Sequence, residues 1–275
     1  MKVVECDADR RRDVADLLER VWGTTTDVAE LDWFYGGNPV APASVLLAEE
    51  SGRVVGGVAM SFLRFSVGGE AVTAAMPVHL ATDPAFRGRG IFRELEGANE
   101  ERARQRGARF LFVVPTPASA SVLRRRLGWT PLPPLRVWAR PPLPRPRRLR
   151  RVDRFDDRTA TGRADGRGAH VLRDADWLNW RFADSPRPYT LVADGGYAVL
   201  GRHGRVGVLA ATGGRAPAPR GLVAIAAPPP WDRPRYLRAG WLPTPRTFEL
   251  LGKSLDPRLR LPARPHFELG DLDFF

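Results

Sequence analysis

A chain of 275 residues, 43% of them hydrophobic, can bury one large core or two smaller ones and is expected to fold as a soluble globule. Its one cysteine, Cys6, excludes internal disulfides and cysteine-rich metal sites, and His79, His170, His203 and His266 stand without ligand spacing, so no metal is expected. The formal charge of +12 comes almost wholly from arginine, with Lys2 and Lys253 the two lysines. Arg, Ala, Pro and Gly abound along the whole chain, a bias of GC-rich coding that makes no phosphate-binding face, and specific nucleic-acid binding is not expected.

The amino terminus is charged throughout and lacks the apolar core of a signal peptide, and no later apolar run approaches a membrane span. A cytoplasmic location without a membrane partner is therefore expected. Residues 8–21 carry Val14, Leu17, Leu18 and Val21 at helical spacing, with Asp7 placed to cap the start. A second short helix is predicted over Ala29–Tyr35, stopped by Gly36-Gly37-Asn38-Pro39. Ser44–Glu49, Val54–Phe65 and Ala71–Ala81, divided by Glu50-Ser51-Gly52 and Gly68-Gly69, read as antiparallel strands. Then follow a helix over residues 89–106, a strand over Phe110–Val114, a helix over Ala118–Leu127 ending at Gly128-Trp129, and a strand near Leu135–Ala139. That order implies an α/β fold with a mixed, mostly antiparallel central sheet flanked by helices.

From Pro131 to Asp157 prolines and arginines dominate, and Thr159–Gly168 is small and polar. The basic run from Arg136 to Arg154 reads as a solvated connector. The predicted organisation is a domain over residues 1–140, a linker over 141–168 and a shorter domain over 169–275. The second half partly repeats the first. Trp33-Phe-Tyr-Gly-Gly-Asn-Pro39 matches Trp180-Arg-Phe-Ala-Asp-Ser-Pro186 in its spacing from Trp to Pro, and Leu127-Gly128-Trp129 is echoed by Ala239-Gly240-Trp241. Two anchors in one order suggest a tandem duplication.

The chemistry concentrates in Val78-His-Leu-Ala-Thr-Asp-Pro-Ala-Phe-Arg-Gly-Arg-Gly-Ile-Phe-Arg-Glu-Leu95. A strand ends at Thr82, Asp83-Pro84 turns the chain, Arg87-Gly88-Arg89-Gly90 forms a loop and a helix starts at once. Glycines admit an anion close to the backbone, and the free N–H groups of a helix start attract it; Arg87 and Arg89 add full charges. The pattern is neither a Rossmann fingerprint, which follows an early parallel strand, nor a P-loop, which needs Gly-Lys-Ser/Thr. The region Val206–Ala227 of the second half has no such loop, so a duplicated half would have lost the cofactor.

At these residues the sequence resembles the GNAT superfamily of acyl-CoA transferases, whose pattern Arg/Gln-x-x-Gly-x-Gly/Ala follows a strand and a proline turn; Arg87, Gly90 and Pro84 fit it. The helix closing on Leu127-Gly128-Trp129 is similar to the family's second cofactor segment. The resemblance covers residues 1–140, and the whole resembles a tandem protein with a degenerate second half. It implies acetyl-CoA as acyl donor, the strand backbone at Leu80, Ala81 and Thr82 along the pantetheine arm, and Arg87, Gly88, Arg89, Gly90, Ile91 and Phe92 around the pyrophosphate. Two positions depart from the family: Phe92 stands where Gly or Ala is usual, and Arg124 replaces the tyrosine that often protonates the leaving thiolate.

Acetyl transfer to an amine needs a base, oxyanion donors and a proton for the thiolate. His79 is the candidate base, Leu80 the candidate oxyanion contact, and Ser119, with Ser121, the candidate for orienting a water or protonating the thiolate, capping being the other role open to these serines. Trp33 and Tyr35, with Trp177 and Trp180, lie where the family lines its acceptor cleft, packing being their other role. The acidic, aromatic tail Phe267–Phe275 is expected to dock on basic surface, and the resemblance offers its terminal carboxylate as an alternative base. The resulting reading is an acetyltransferase acting on an amine of a small molecule or amino sugar, oligomeric or not. Its alternatives are an inactive CoA-binding or regulatory protein, which Arg124 favours, and a tRNA-dependent aminoacyl transferase.

Overall fold

The computed structural model describes residues 1–142, 149–160, 166, 168–214 and 223–272. In chain order these form β1 (Lys2–Glu5), α1 (Arg11–Trp22), α2 (Val28–Gly36), β2 (Ser44–Glu50), β3 (Arg53–Val67), β4 (Glu70–Thr82), α3 (Ile91–Gln105), β5 (Ala108–Val113), α4 (Pro117–Arg126) and β6 (Thr130–Arg140). Then come β7 (Arg151–Val152), β8 (Ala169–Val171), α5 (Ala175–Leu178), β9 (Thr190–Ala193), β10 (Tyr197–His203), β11 (Val206–Gly213), β12 (Ala224–Ala226), α6 (Arg233–Arg238), β13 (Leu242–Ser254) and β14 (Pro265–His266). The fold is mixed α/β with mostly antiparallel strands. No helix among the described residues is long and apolar enough to cross a membrane.

Two compact units emerge, and neither is one continuous stretch. The first comprises residues 1–63, 72–131 and 251–261, with strands in the order β1-β2-β3-β4-β5 and then the end of β13. β1 and β2 are antiparallel, as are β2 and β3. β4 and β5 are parallel, as the long helical crossover between them requires. Leu251–Ser254 of β13 then run antiparallel to β5.

Two glycines fix how helices lie on this sheet. A Cβ at Gly56 would stand 2.6 Å from Ile91 of α3, and one at Gly57 would stand 3.0 Å from Leu17 of α1. Neighbouring strand residues face opposite ways, so the two helices press on opposite faces. Leu17 and Leu18 are wholly buried, each contributing about 1.5–3 kcal/mol. Asp7 does not cap as expected, because the chain enters α1 through a 3-10 turn with no side-chain cap; Asp27 caps α2, accepting from the Ala29 N–H at 2.9 Å.

The second unit comprises residues 64–71, 132–250 and the chain from Pro262. Its strands run β7-β9-β10-β11-β12-β6. β7 is antiparallel to β9, β9 to β10 and β10 to β11; β11 and β12 are parallel, and β12 is antiparallel to β6. The end of β3 adds β8, and β8 adds β14. The second unit thus takes β6 from the strand that follows α4, and the first takes the end of the strand that follows α6. Of the stretch expected as a solvated connector, Arg136–Arg140 lie in β6 and Arg151–Val152 form β7, while 143–148 lie outside the described residues.

The repeated anchors share some local features. Asp27 caps α2, which contains Trp33, and Asp174 caps α5, which passes into the π-helical turn Asn179–Ala183 containing Trp180. Gly128 and Gly240 both have positive φ, +71° and +81°, ending their helices in the left-handed conformation that favours glycine. Trp129 and Trp241 then turn inward, their N–H groups donating to the carbonyls of Leu123 (3.1 Å) and Tyr236 (3.0 Å).

The tail is interior to the second unit. Phe267–Leu272 are all buried, Arg173 donates to Asp271 and reaches Glu268 at 3.1 Å, and Arg181 donates to the carbonyls of Gly270 and Leu272. This corrects the expectation of surface docking, since the acids pair with a buried arginine. Residues 273–275, with the terminal carboxylate, lie outside the described residues.

Candidate active site

The site is built where β4 gives way to α3. Asp83 accepts from the Ala85 N–H at 3.1 Å and so caps the 3-10 turn Pro84–Phe86. Arg53 (2.6 Å) and Arg20 (3.4 Å) bind the Asp83 carboxylate. Burial pushes this carboxyl up, but the Ala85 N–H and both arginines outweigh it and hold it below the usual range. The turn is thereby anchored to β3, a contact that the Asp-Pro pair alone did not reveal.

Gly88 and Gly90 follow with φ of +79° and +83°. A Cβ at Gly88 would meet nothing within 4 Å, so conformation and not crowding requires glycine, and the space beside it is open. Gly90 caps α3 without a side chain, which leaves the first N–H groups of the helix for a ligand. Arg87 is exposed, its Nε 3.4 Å from the Thr82 carbonyl. Arg89 donates to Glu50 at 3.0 Å and lies over the Phe86 ring at 4.9 Å, so part of its charge is already balanced. Ile91 is buried and Phe92 half-buried, both directed toward apolar clusters; Phe92, the departure from the family pattern, packs on the core containing Trp129.

β4 and β5 form a ladder over Thr73–Ala75 and Ala108–Leu111, whereas β4 runs on to Thr82 and β5 to Val113. β5 keeps pairing with β13 as far as Val113, and the Asp83 N–H donates to Val55 of β3 at 2.9 Å. The stretch of β4 containing Leu80, Ala81 and Thr82 therefore lies beyond its ladder with β5, a few residues before the Arg87–Gly90 loop. An extended arm laid there finds strand backbone to pair with.

Within the same stretch His79 has φ +50°, a conformation costing a non-glycine residue about 1–3 kcal/mol and concentrated at functional sites. Its Nδ1 lies 2.7 Å from the Tyr35 hydroxyl. The rings of Trp22, Phe34 and Tyr35 surround the imidazole at 6.0, 5.6 and 5.5 Å. Tyr35, expected to line the acceptor cleft, is 0% exposed, whereas Trp22 is 48% exposed and was not singled out by the sequence. Trp33 is half-buried, edge-on to Phe34 at 5.7 Å.

The remaining candidates separate from this cluster. The Ser119 hydroxyl donates to the Thr116 carbonyl at 3.1 Å and its N–H is capped by Thr116 Oγ1, which places it at the start of α4. Trp177 and Trp180 are buried in the second unit, edge-on at 6.1 Å. Sequence reasoning missed a polar group under α3. Glu100 accepts from Trp129 Nε1 at 2.8 Å and pairs with Lys253, while both Glu96 oxygens are buried without a hydrogen-bond partner. Burial first, then the charge of Glu100, push the Glu96 carboxyl up to about 8 against the pull of Lys253. Among the described residues no group of three or more His, Cys, Asp or Glu is placed to hold a metal.

Residues 3–132 match the family model described as "Acetyltransferase (GNAT) domain". Solved structures share the fold at low identity. A GCN5-related N-acetyltransferase from Kribbella flavida is 18% identical with TM-score 0.64, over 93% of this chain and 71% of that one. Another from Anabaena variabilis is 12% identical with TM-score 0.67, over 93% and 73%. Eis1 from Mycobacterium abscessus is 17% identical with TM-score 0.58, over 91% and 73%. No curated protein matches the chain by sequence.

Proposed function

We propose, for a chain whose residues 3–132 belong to the GNAT family of acetyltransferases, that this GNAT-type acyltransferase moves an acetyl group from acetyl-CoA to an amine of a small molecule or amino sugar. The observation that carries the reading is that a stretch of β4 beyond its ladder with β5 is followed in the chain by the uncapped start of α3. The first N–H groups of α3 and the exposed Arg87 would hold the pyrophosphate, and Leu80–Thr82 would pair with the pantetheine arm. Phe92 leaves this cradle usable, because its side chain packs inward on the core.

His79 is the proposed base and Leu80 the proposed oxyanion donor. The acceptor nitrogen attacks the thioester carbon and gives its proton to His79; the C–S bond breaks with its electron pair on sulfur. Ser119 is better read as a cap than as the thiolate's acid. Residues 1–140 would carry the chemistry, and the second half would be a copy that has lost the cofactor loop. The inactive alternative rests on Arg124, which is exposed in the last turn of α4.

Thiol release from acetyl-CoA, with glucosamine as amino-sugar acceptor, tests the reading. Turnover should fall about 100-fold or more in His79→Ala with acetyl-CoA affinity unchanged. Tight acetyl-CoA binding without turnover on glucosamine or simple diamines would favour the inactive alternative.

A further inference from the structure

We propose that Tyr35 is the positioning residue of His79, accepting a hydrogen bond from Nδ1–H and so leaving the lone pair on Nε2 to take the acceptor's proton. The proposal rests on the reading of His79 as the base.

Neutral imidazole has one N–H and one lone pair, and the partner of one nitrogen decides what the other can do. The Tyr35 hydroxyl lies 2.7 Å from Nδ1. If the phenol donated, Nδ1 would be occupied and Nε2 would bear the proton, so neither nitrogen would be free as a base. If Nδ1–H donates, Nε2 is the base. Once His79 has taken a proton both nitrogens are donors, and acceptance is then the role the phenol oxygen must fill. A base oriented by a third group is the arrangement on which activated nucleophiles generally depend.

The surroundings fix Tyr35 for this role. Full burial keeps water from competing for its hydroxyl. The Arg11 guanidinium lies 5.0 Å from the Tyr35 ring centroid, and Arg11 is itself held by the Cys6 carbonyl at 3.1 Å and by Asp32 at 3.6 Å. Titratable and charged groups near Tyr35 include Arg11 and Cys6 from the α1 side and Asp32 from α2. His79 in turn is held at φ +50°, and a bond of this kind is what can sustain a locally costly backbone. The strained residue, buried phenol and stacked cation form one chain, from Asp32 through Arg11 and Tyr35 to the imidazole.

The test is nitrogen NMR of the full chain labelled at histidine, in wild type and Tyr35→Phe, with acetyl-CoA affinity measured on the same samples. Neutral His79 should be the Nδ1–H tautomer in wild type and revert to Nε2–H, the form usual in solution, in Tyr35→Phe. Thiol release with glucosamine should fall on the order of ten- to hundredfold in that variant, at unchanged KM for acetyl-CoA. An Nε2–H tautomer in wild type, or the same tautomer in both proteins, overturns the proposal. Absence of acetyl-CoA binding in wild type would instead overturn the acetyl-transfer reading beneath it. Should Tyr35→Phe fold poorly, the wild-type tautomer decides alone.

Discussion

β4 and β11 hold the same place in their units, each followed in the sheet by one parallel neighbour. What lies beyond them differs. The connection from β4 to β5, residues 83–107, holds the arginine-glycine loop and the 15-residue α3. That from β11 to β12 is residues 214–223, too short for such a helix and loop together. β11 is served by the chain's own tail: the Thr212 N–H donates to Glu268 at 2.9 Å, and a Cβ at Gly270 would stand 3.0 Å from the Ala210 carbonyl and 2.7 Å from the Phe182 ring. Beside β4 the last residues stand beyond the ladder with β5. One strand order therefore supports either a strand end left beyond its ladder, where the proposed ligand would lie, or one covered by the chain's own tail, and the two differ in connection length.

The comparison breaks most readily at the tail. Arg173→Ala would strand the Glu268 and Asp271 carboxylates in a buried site, and thermal unfolding should show a loss of about 3–5 kcal/mol. Where the variant remains folded, acetyl-CoA affinity should stay within twofold, since the residues of the proposed cradle belong to the first unit; a large loss of affinity would count against that placement.

A smaller effect sharpens the account of α3. Glu96 is held protonated in the folded protein, with its carboxyl near 8 against an ordinary value of 4.5. The folded state therefore binds a proton that the unfolded state has released. Its contribution is full below about pH 4.5 and is lost as pH rises toward 8. In Glu96→Gln that loss should vanish, a difference on the order of 2–4 kcal/mol between pH 5 and pH 9 in denaturant titrations; identical pH profiles would refute the buried, protonated acid. Smallest of all, Gly128→Ala and Gly240→Ala should each cost about 1 kcal/mol, since both replace a left-handed helix end. Unequal losses would break the equivalence of the two anchors.

Much of the first unit was legible because its patterns are local. The Glu50-Ser51-Gly52 stretch marked the β2–β3 turn, and the apolar period of α1 located its buried face. The loop at Arg87–Gly90 was legible too, because positive φ at a helix start demands glycine. The exchange of β6 and β13 was not, since a strand carries no local record of its partner. The middle of β6 was legible at Leu135–Ala139, but β7 was hidden by a proline- and arginine-rich composition that usually marks exposed connectors. His79 was legible as a candidate but its surroundings were not: its backbone conformation and its bond to Tyr35, far away in sequence, depend on packing. The tail was misread because its acids meet a buried arginine that no spacing links to them.

The central claim is that the start of α3 receives the pyrophosphate of acetyl-CoA. Calorimetry of acetyl-CoA binding to wild type and Gly90→Glu tests it most directly, since the substitution sets a carboxylate and a strained side chain at the uncapped helix start. Micromolar binding in wild type, weakened at least about 100-fold in the variant, is the predicted result. Equal affinity in the two proteins would contradict it.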